Sequence, residues 1–365
     1  MSAVEAAAAI KRGVLNVLPG SETIPIPMAD GGEGTVNALV ASTHGKFVTV
    51  DVTGPLDDPV RATYGILGDG VTAVIEMAAA SGLTLIPENR RNPLLTTTYG
   101  TGQLIKHALD NGCRKFIIGI GGSATNDGGT GMAQALGVRF TDQSGTSIRS
   151  LMCGETLRQV QRIDFSNLHS TIKNCTFTAA CDVDNPLLGE HGCASVYAPQ
   201  KGASPAVVEK LESGMRQFAD VLEDTIKRTV RTIPGAGAAG GLGAGLVAFL
   251  NATLKPGIEL VLAASQFDQR IQQACLVITG EGKLDRQTAF GKTIAGIVRS
   301  CQKQNVPVIA FAGIVEPCNE LDQLGLKHYF SIRPENISVK EAMETGPELL
   351  QHAVERAIRN YSFLK

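Results

Sequence analysis

From Ala274 onward the chain alternates without exception between apolar runs and helical patterns. The run CLVITG (275–280) is followed by a helical stretch over 291–304, then PVIAFAG (307–313), a short HYFSI strand (328–332) and a closing helical pattern over 339–361. Strands separated each time by a helix pair in parallel, because a parallel neighbour needs a crossover long enough to contain that helix. This part of the chain is expected to form a doubly wound parallel sheet. The other end belongs with it: MSAVEAAAAIKRGVLNVLPG places Ser2 three residues before Glu5, a capping box ahead of an alanine-rich helix that stops at Leu18-Pro19-Gly20. An α/β chain is expected to place a strand before such a helix. None precedes it here, so an N-terminal strand is expected to be missing.

The middle reads differently. FVTVDV and TYGILGDGVTAVIEM are strands, the second pair hinged at Gly68-Asp69-Gly70 as a hairpin. A helix is expected over 104–109, a strand over 115–120, a helix over 131–136 and a buried strand at TFTAAC. Hairpins between flanking βα units imply a discontinuous architecture. We expect a doubly wound α/β domain of residues 1–45 and 265–365, and an inserted mixed-sheet α/β domain of residues 46–264. The glycine-rich PGAGAAGGLGAGL (234–246) is expected to be a tight small-residue turn into a helix.

Composition narrows the function. With 365 residues, 43% of them hydrophobic and 19% charged, the chain can bury a large two-domain core, and that size favours an enzyme. A formal charge of -2, 5% aromatic residues and no Trp argue against a nucleic-acid partner. The eight cysteines lack C-x-x-C spacing, the six histidines lack H-x-x-x-H spacing, and no leader precedes them; the expectation is a reduced, cytoplasmic, zinc-free protein. The most apolar segment, 240–254, is too short and glycine-broken for a membrane span.

Four loops carry the chemistry. In FIIGIGGSATNDGG, residues 119–124 fit G-x-G-x-x-A after a strand, with Asp142 near the offset of a dinucleotide fingerprint. The loop nevertheless runs on through Asp127, whose carboxylate would repel a pyrophosphate unless a cation intervened. Glycine amides there would cradle a phosphoryl group while Asp127 binds Mg²⁺ or takes a proton from a hydroxyl; a turn or cap is an equally ordinary role for Asp. MADGGEGT repeats the pattern with Asp30, Gly31, Gly32 and Glu33. CDVDNPLLG places Asp182 and Asp184 two apart at a strand end, suited to a divalent metal or to orienting a base, or simply to a solvated turn. TGEGKLDRQTAFGKT (279–293) fails as a P-loop because position 286 is Arg286; it remains a glycine turn with Lys283, Arg286 and Lys292 around Glu281 and Asp285, or a salt-bridged surface loop. Arg90 and Arg91, ahead of the polar turn Thr96 to Thr101, form a plausible carboxylate site. Lys201, in APQKGAS, is expected at the surface.

Taken in order, ADGGEGT, VTGPL, AVIEMAAASGL, RNPLLTTTYGTGQLI, GIGGSATNDGGTGMAQALG, ACDVDNPLLG, PQKGA, GAAGGLGAGL and TGEGKLDRQTAFGKT make the chain resemble, from end to end, the ATP-dependent glycerate kinases of bacterial type. The resemblance implies transfer of the γ-phosphoryl of ATP to a hydroxyl of D-glycerate, giving mainly 2-phosphoglycerate, with Mg²⁺ and no P-loop. It implies two α/β domains, one flavodoxin-like and one like a restriction-endonuclease core, with the active site in the cleft, in a monomer or homodimer. On that basis Asp182 or Asp184 orients or deprotonates the hydroxyl, with Asp127 and Lys283 as further catalytic candidates. Asp30, Asp127 and Asp285 are the metal candidates. Gly31, Gly32, Gly121, Gly122, Ser123, Asn126, Gly128, Gly129, Gly280, Glu281, Lys283 and Lys292 are expected around phosphates and substrate, with Arg91 or Thr97 on the carboxylate. The family opens with a strand and an Asp-Ser-Phe-Lys-Gly turn that this chain lacks, so impaired activity, as an inactive nucleotide-binding remnant, is the first rival expectation. An NAD-dependent oxidoreductase using residues 119–124 and Asp142 is the second.

Overall fold

A computed structural model describes residues 1–289, 293–334 and 337–360. They form two compact units, one of Gly31–Val36 and His44–Gly257, the other of Met1–Asp30, Asn37–Thr43 and Ile258–Lys365. Both are α/β and both contain parallel strands, the class that the alternation predicts.

In the first unit β1 (Lys46–Thr53), β2 (Pro59–Ile66) and β3 (Thr72–Glu76) make an antiparallel meander. The predicted Gly68-Asp69-Gly70 turn closes its second hairpin, with the Asp69 carboxylate accepting from the Val71 and Thr72 amides. From β3 the direction of pairing changes, because the helix Tyr99–Asp110 carries the chain back over the sheet. β4 (Lys115–Gly119) therefore lies parallel to β3. β5 (Arg139–Thr141) and β6 (Arg162–Asp164) form a separate two-stranded sheet, whereas β7 (Thr176–Ala180) and β8 (Thr253–Lys255) extend the first sheet in parallel, in the order β1-β2-β3-β4-β7-β8. Phe116 on β4 faces Phe177 on β7 with stacked rings 4.6 Å apart, a buried cross-strand pair at the centre of the parallel part.

The glycine-rich segment becomes the helix Ala238–Leu250, whose first turn is broken at Ala239, Gly240 and Gly241, all left-handed. The break lets the chain press against the loop after β4: the Gly240 carbonyl accepts from the Gly128 amide at 3.0 Å, and a methyl group on Gly240 would overlap the Thr125 carbonyl. The predicted turn into a helix is thus a packing surface for a neighbouring loop.

In the second unit β9 (Val277–Leu284), β10 (Val308–Val315) and β11 (His328–Ser331) form a parallel sheet in the order β11-β10-β9. The central strand shows why helices cover both faces. Ile309 and Phe311 pack with Ala9, Leu350 and Val354 from the two end helices, Ala3–Val17 and Gly346–Asn360, while Ala310 and Ala312 pack with Ile294, Val298 and Leu321 on the other side. The Ser2–Glu5 capping box forms as read.

Several local expectations change. The helix expected at 104–109 begins at Tyr99, because the threonine turn before it is drawn into the fold by a buried carboxylate. The strand expected to end near 280 continues to Leu284, paired with β10 as far as Val315, so Gly280, Glu281 and Lys283 lie on a strand and not in a glycine turn. The closing helical pattern divides at Thr345 into Val339–Glu344 and Gly346–Asn360, a new helix starting at Gly346-Pro347. Of the stretch 291–304, the described part is the helix Thr293–Lys303; Gly291 and Lys292 lie outside the described residues.

Gly240→Ala adds a left-handed non-glycine residue and a steric overlap together, and is expected to cost about 3 kcal/mol or more, lowering Tm by roughly 6 °C or more. Gly70→Ala, also at positive φ but with nothing within 4 Å of the added methyl, should cost only about 1 kcal/mol. Thermal melts of the two variants test this; equal losses would mean that close approach at Gly240 contributes nothing.

Candidate active site

In a parallel sheet flanked by helices, ligands collect beyond the carboxyl ends of the strands, where loops and helix N-termini converge. In the first unit β3, β4 and β7 end level, with Glu76 beside Gly119 and Gly119 beside Ala180. Three of the acidic loops meet there. Gly31, at φ +90°, packs against Ala180 and Gly257, where a side chain would collide. A methyl on Gly119 would lie 2.5 Å from the Gly31 carbonyl, and one on Gly121 3.6 Å from the Gly32 Cα. Segments 31–36, 119–123 and 181–184 therefore share one edge, although about 150 residues separate the first from the last.

The carboxylates at this edge have different duties. Glu76 was not singled out by the sequence; it ends the apolar run of β3 and accepts from the Val36 amide at 2.8 Å, in the first turn of the helix Thr35–Thr43. Burial pushes its carboxyl above the ordinary range, against the opposing pull of that amide. Asp182 accepts from the Gly257 amide at 2.8 Å, at the start of the helix Gly257–Ala264. Asp184 is exposed and accepts no hydrogen bond from the described residues. It is the carboxylate of the pair without a helix to cap.

The loop after β4 has an outside and an inside. Gly121 and Gly122 are exposed, but burial begins at Ser123. Asn126, Gly128 and Gly129, expected from the sequence around phosphates, lie within the core: Gly128 against Met215 and Phe218, Gly129 against Leu242 and Gly245. Asp127, expected on a metal or a substrate hydroxyl, is fully buried as well. Its Oδ2 accepts from the Thr98 amide at 2.8 Å, the Thr98 hydroxyl at 2.7 Å and the Gly131 amide at 3.2 Å, while Oδ1 accepts from the Gly129 amide at 3.2 Å. A carboxylate surrounded in this way has no room for a cation or a substrate. Burial pushes its carboxyl up, and the Thr98 and glycine donors oppose that shift. The carboxylate in this glycine-rich loop gathers the loop's own amides and lies inside, away from the exposed turn at Gly121 and Gly122.

Lys201 corrects the surface expectation. It ends the 3-10 turn Pro199–Lys201 at 2% exposure, and its Nζ donates to Ser123 Oγ and to the Thr125 carbonyl, both at 2.7 Å. Nothing in the sequence pointed to this, since lysine is nearly always exposed. Arg91 and Thr97 line a cavity of about 730 Å³ together with Asn89, Asn92, Ser150 and Cys153. The Arg91 Nε is buried without a partner among the described residues. Arg90, by contrast, pairs with Asp58 in solvent at 3.1 Å.

The second unit has its own set. Lys283 bridges Glu316 at 2.9 Å and Asp285 at 3.1 Å, and these acids, Glu316 first, push its ammonium up. The Asp285 Oδ1 accepts from the Thr288 amide at 3.4 Å, Arg286 pairs with Glu320 at 2.9 Å, and Glu281 accepts from the Thr288 hydroxyl. Gly280 pairs with Phe311 across the sheet. Asp30 is half-buried, and Lys292 lies outside the described residues. Asp142, the acid that a dinucleotide site would use, ties a tight turn through the amides of Ser144 and Thr146, with the Ser144 hydroxyl holding its carboxyl low. No helix among the described residues is long and apolar enough to cross a membrane.

The glycerate kinase family model matches residues 1–362. A glycerate kinase of Halalkalibacterium halodurans is 50% identical over 97% of this chain and 93% of its own length. The glycerate 2-kinase of Escherichia coli K12 is 46% identical over 91% of this chain and 87% of its own. A crystal structure from Salmonella typhimurium LT2, provisionally designated glycerate kinase 2, superposes with a TM-score of 0.90 at 43% identity, covering 98% of this chain and 93% of that one. Neither the oxidoreductase nor the inactive remnant finds support in these matches. Matched along almost its whole length, the chain belongs to the glycerate kinase family and is an ATP-dependent kinase.

Proposed function

We propose that the chain transfers the γ-phosphoryl of ATP to the 2-hydroxyl of D-glycerate, giving 2-phosphoglycerate and ADP, in the cytoplasm. The regiochemistry follows the name of the Escherichia coli relative. The observation that carries the site is the convergence of segments 31–36, 119–123 and 181–184 on one strand-end edge. Phosphoryl transfer needs positioning, donors for phosphate oxygens and a group that takes the hydroxyl proton, and needs little else from the protein. The exposed turn at Gly121 and Gly122, beside Gly31 and Gly32, receives phosphate oxygens where side chains would bar a close approach. Asp184 takes the proton from the attacking hydroxyl, and Asp182 keeps Asp184's loop in place by capping Gly257. Arg91, beside Thr97, pairs with the substrate carboxylate, which gives its buried Nε an acceptor.

Mg²⁺ suits oxygen donors such as Asp30 and Asp285, and no group of three His, Cys, Asp or Glu side chains among the described residues forms a protein cage. When bound, it neutralises phosphate charge. Asp127 does not fit that role, being sealed by its four donors, and acts here as a brace of the loop. Gly280, Glu281, Lys283 and Asp285 on and after β9, with Lys292, are proposed as further nucleotide contacts. Residues 1–45 with 265–365, and residues 46–264, are proposed as the two folding domains.

Asp184→Asn is expected to lower kcat by about 10²- to 10⁴-fold at unchanged Tm, whereas Asp182→Ala should lower Tm because a helix start loses its acceptor. A rate assay paired with a thermal melt separates the two; full activity in Asp184→Asn would remove it as the base. Arg91→Gln should raise KM for D-glycerate about 10- to 100-fold while leaving KM for Mg-ATP unchanged. Steady-state kinetics with each substrate varied in turn checks this, and a shift confined to ATP would move Arg91 out of the substrate site.

A further inference from the structure

A lysine ammonium removed from water costs several kcal/mol unless its protons and its charge are matched. Lys201 is matched by the loop after β4. Two of its N–H groups are taken by Ser123 and Thr125, and the negative charge that favours its protonated form is that of Asp127. The charged and titratable groups facing it are Asp127 and, from the helix Cys193–Tyr197, Cys193; Glu212 of the helix Pro205–Ile226 faces Cys193 in turn. Burial pushes the Cys193 thiol up to about 12, so it contributes no charge at neutral pH. Next to Lys201, Gly202 (φ +95°) packs so tightly on the Arg91 carbonyl that a methyl there would lie 2.5 Å from it. The turn Pro199–Lys201 therefore touches the segment of Arg91 and the loop of Gly121 and Gly122 together. In that loop the Thr125 hydroxyl and the Asn126 carbonyl oxygen are buried without partners among the described residues, while the Asn126 Nδ2 donates weakly to Cys193 Sγ at 4.0 Å. Lys201 is one of the loop's anchors, along with Thr96, whose hydroxyl donates to the Ala124 carbonyl at 2.9 Å.

We propose that Lys201 is a positioning residue for nucleotide phosphate: its ammonium fastens Ser123 and the Thr125 carbonyl from inside and sets a positive charge behind the exposed Gly121–Gly122 turn. The inference rests on the reading of that turn as a phosphate contact. Its chemistry separates two duties. A neutral amine can still donate two hydrogen bonds, so the fastening survives deprotonation, while the charge behind the anion does not. Burial lowers the Lys201 pKa to about 8, opposed by the Asp127 carboxylate. Below that value the ammonium is charged and phosphate affinity is full; above it the charge, and with it the affinity, is lost.

The experiment measures KM for Mg-ATP and for D-glycerate between about pH 6 and 9.5, with calorimetric titration of Mg-ATP alongside, on the wild type, Lys201→Met and the charge-balanced double variant Asp127→Asn/Lys201→Met. In the wild type, KM for Mg-ATP should rise above about pH 8. In Lys201→Met it should be raised about tenfold or more at neutral pH, without that limb and with KM for D-glycerate little changed. The double variant, which removes both charges, should not regain ATP affinity. A wild-type KM for Mg-ATP that stays flat through the range overturns the proposal even if both variants fail to fold. So does a variant that loses only Tm, or in which both KM values move together, because Lys201 is then merely structural. Calorimetry keeps the two readings apart: absence of turnover with D-glycerate sinks the proposed function, whereas unchanged ATP affinity in Lys201→Met sinks this inference.

Discussion

Much of the first unit depends on one buried carboxylate. Asp127 gathers the Thr98 amide and hydroxyl with the amides of Gly129 and Gly131, and so joins the segment before the helix Tyr99–Asp110 to the start of the helix Thr130–Ala135. A buried charge tolerates no loose partners, since each missing donor would leave it uncompensated in a medium that cannot solvate it. The requirement passes outward. Thr98 is in turn fixed by the Met132 amide, which donates to its hydroxyl, and Lys201 supplies the opposing charge. The glycines of the loop and of the helix Ala238–Leu250 remove side chains wherever the two segments must meet.

This arrangement explains how an exposed glycine turn and a buried acid coexist in one loop. The inner half, from Ser123 to Gly131, is a buried polar segment packed among Met215, Phe218 and Leu242, and the outer half, Gly121 and Gly122, is left in solvent. A rigid interior gives the outer turn a fixed shape, the form of preorganisation on which electrostatic catalysis relies. At the same edge Glu76 and Asp182 serve helix starts. Acidic residues are abundant at strand ends in this chain, and these two are taken up by helix starts.

Fold class was legible because it follows from alternation and length, which are local quantities. The capping box at Ser2, the hairpin at Gly68 to Gly70 and the parallel strands after Ala274 formed where their patterns predicted. The loops that carry chemistry were legible as words, and three of them do share an edge. Their inner and outer sides were not legible. Asp127, Asn126, Gly128 and Gly129 look in sequence like Gly121 and Gly122, and differ only in what packs behind them. Nor did the words around Lys283 show that β9 extends through it and sets two acids beside it.

By itself the sequence determined the α/β class, the glycine positions that permit close approach and the long ordered motifs that mark the family, because each is written in residue type and spacing along the chain. Only the tertiary structure decided which charges face water. Lys201 and Asp127 find hydrogen-bond partners 76 residues away and about 30 residues away, Lys201 in the Thr125 carbonyl and Asp127 in Thr98. Burial depends on every element that packs over a residue, and no local pattern records it.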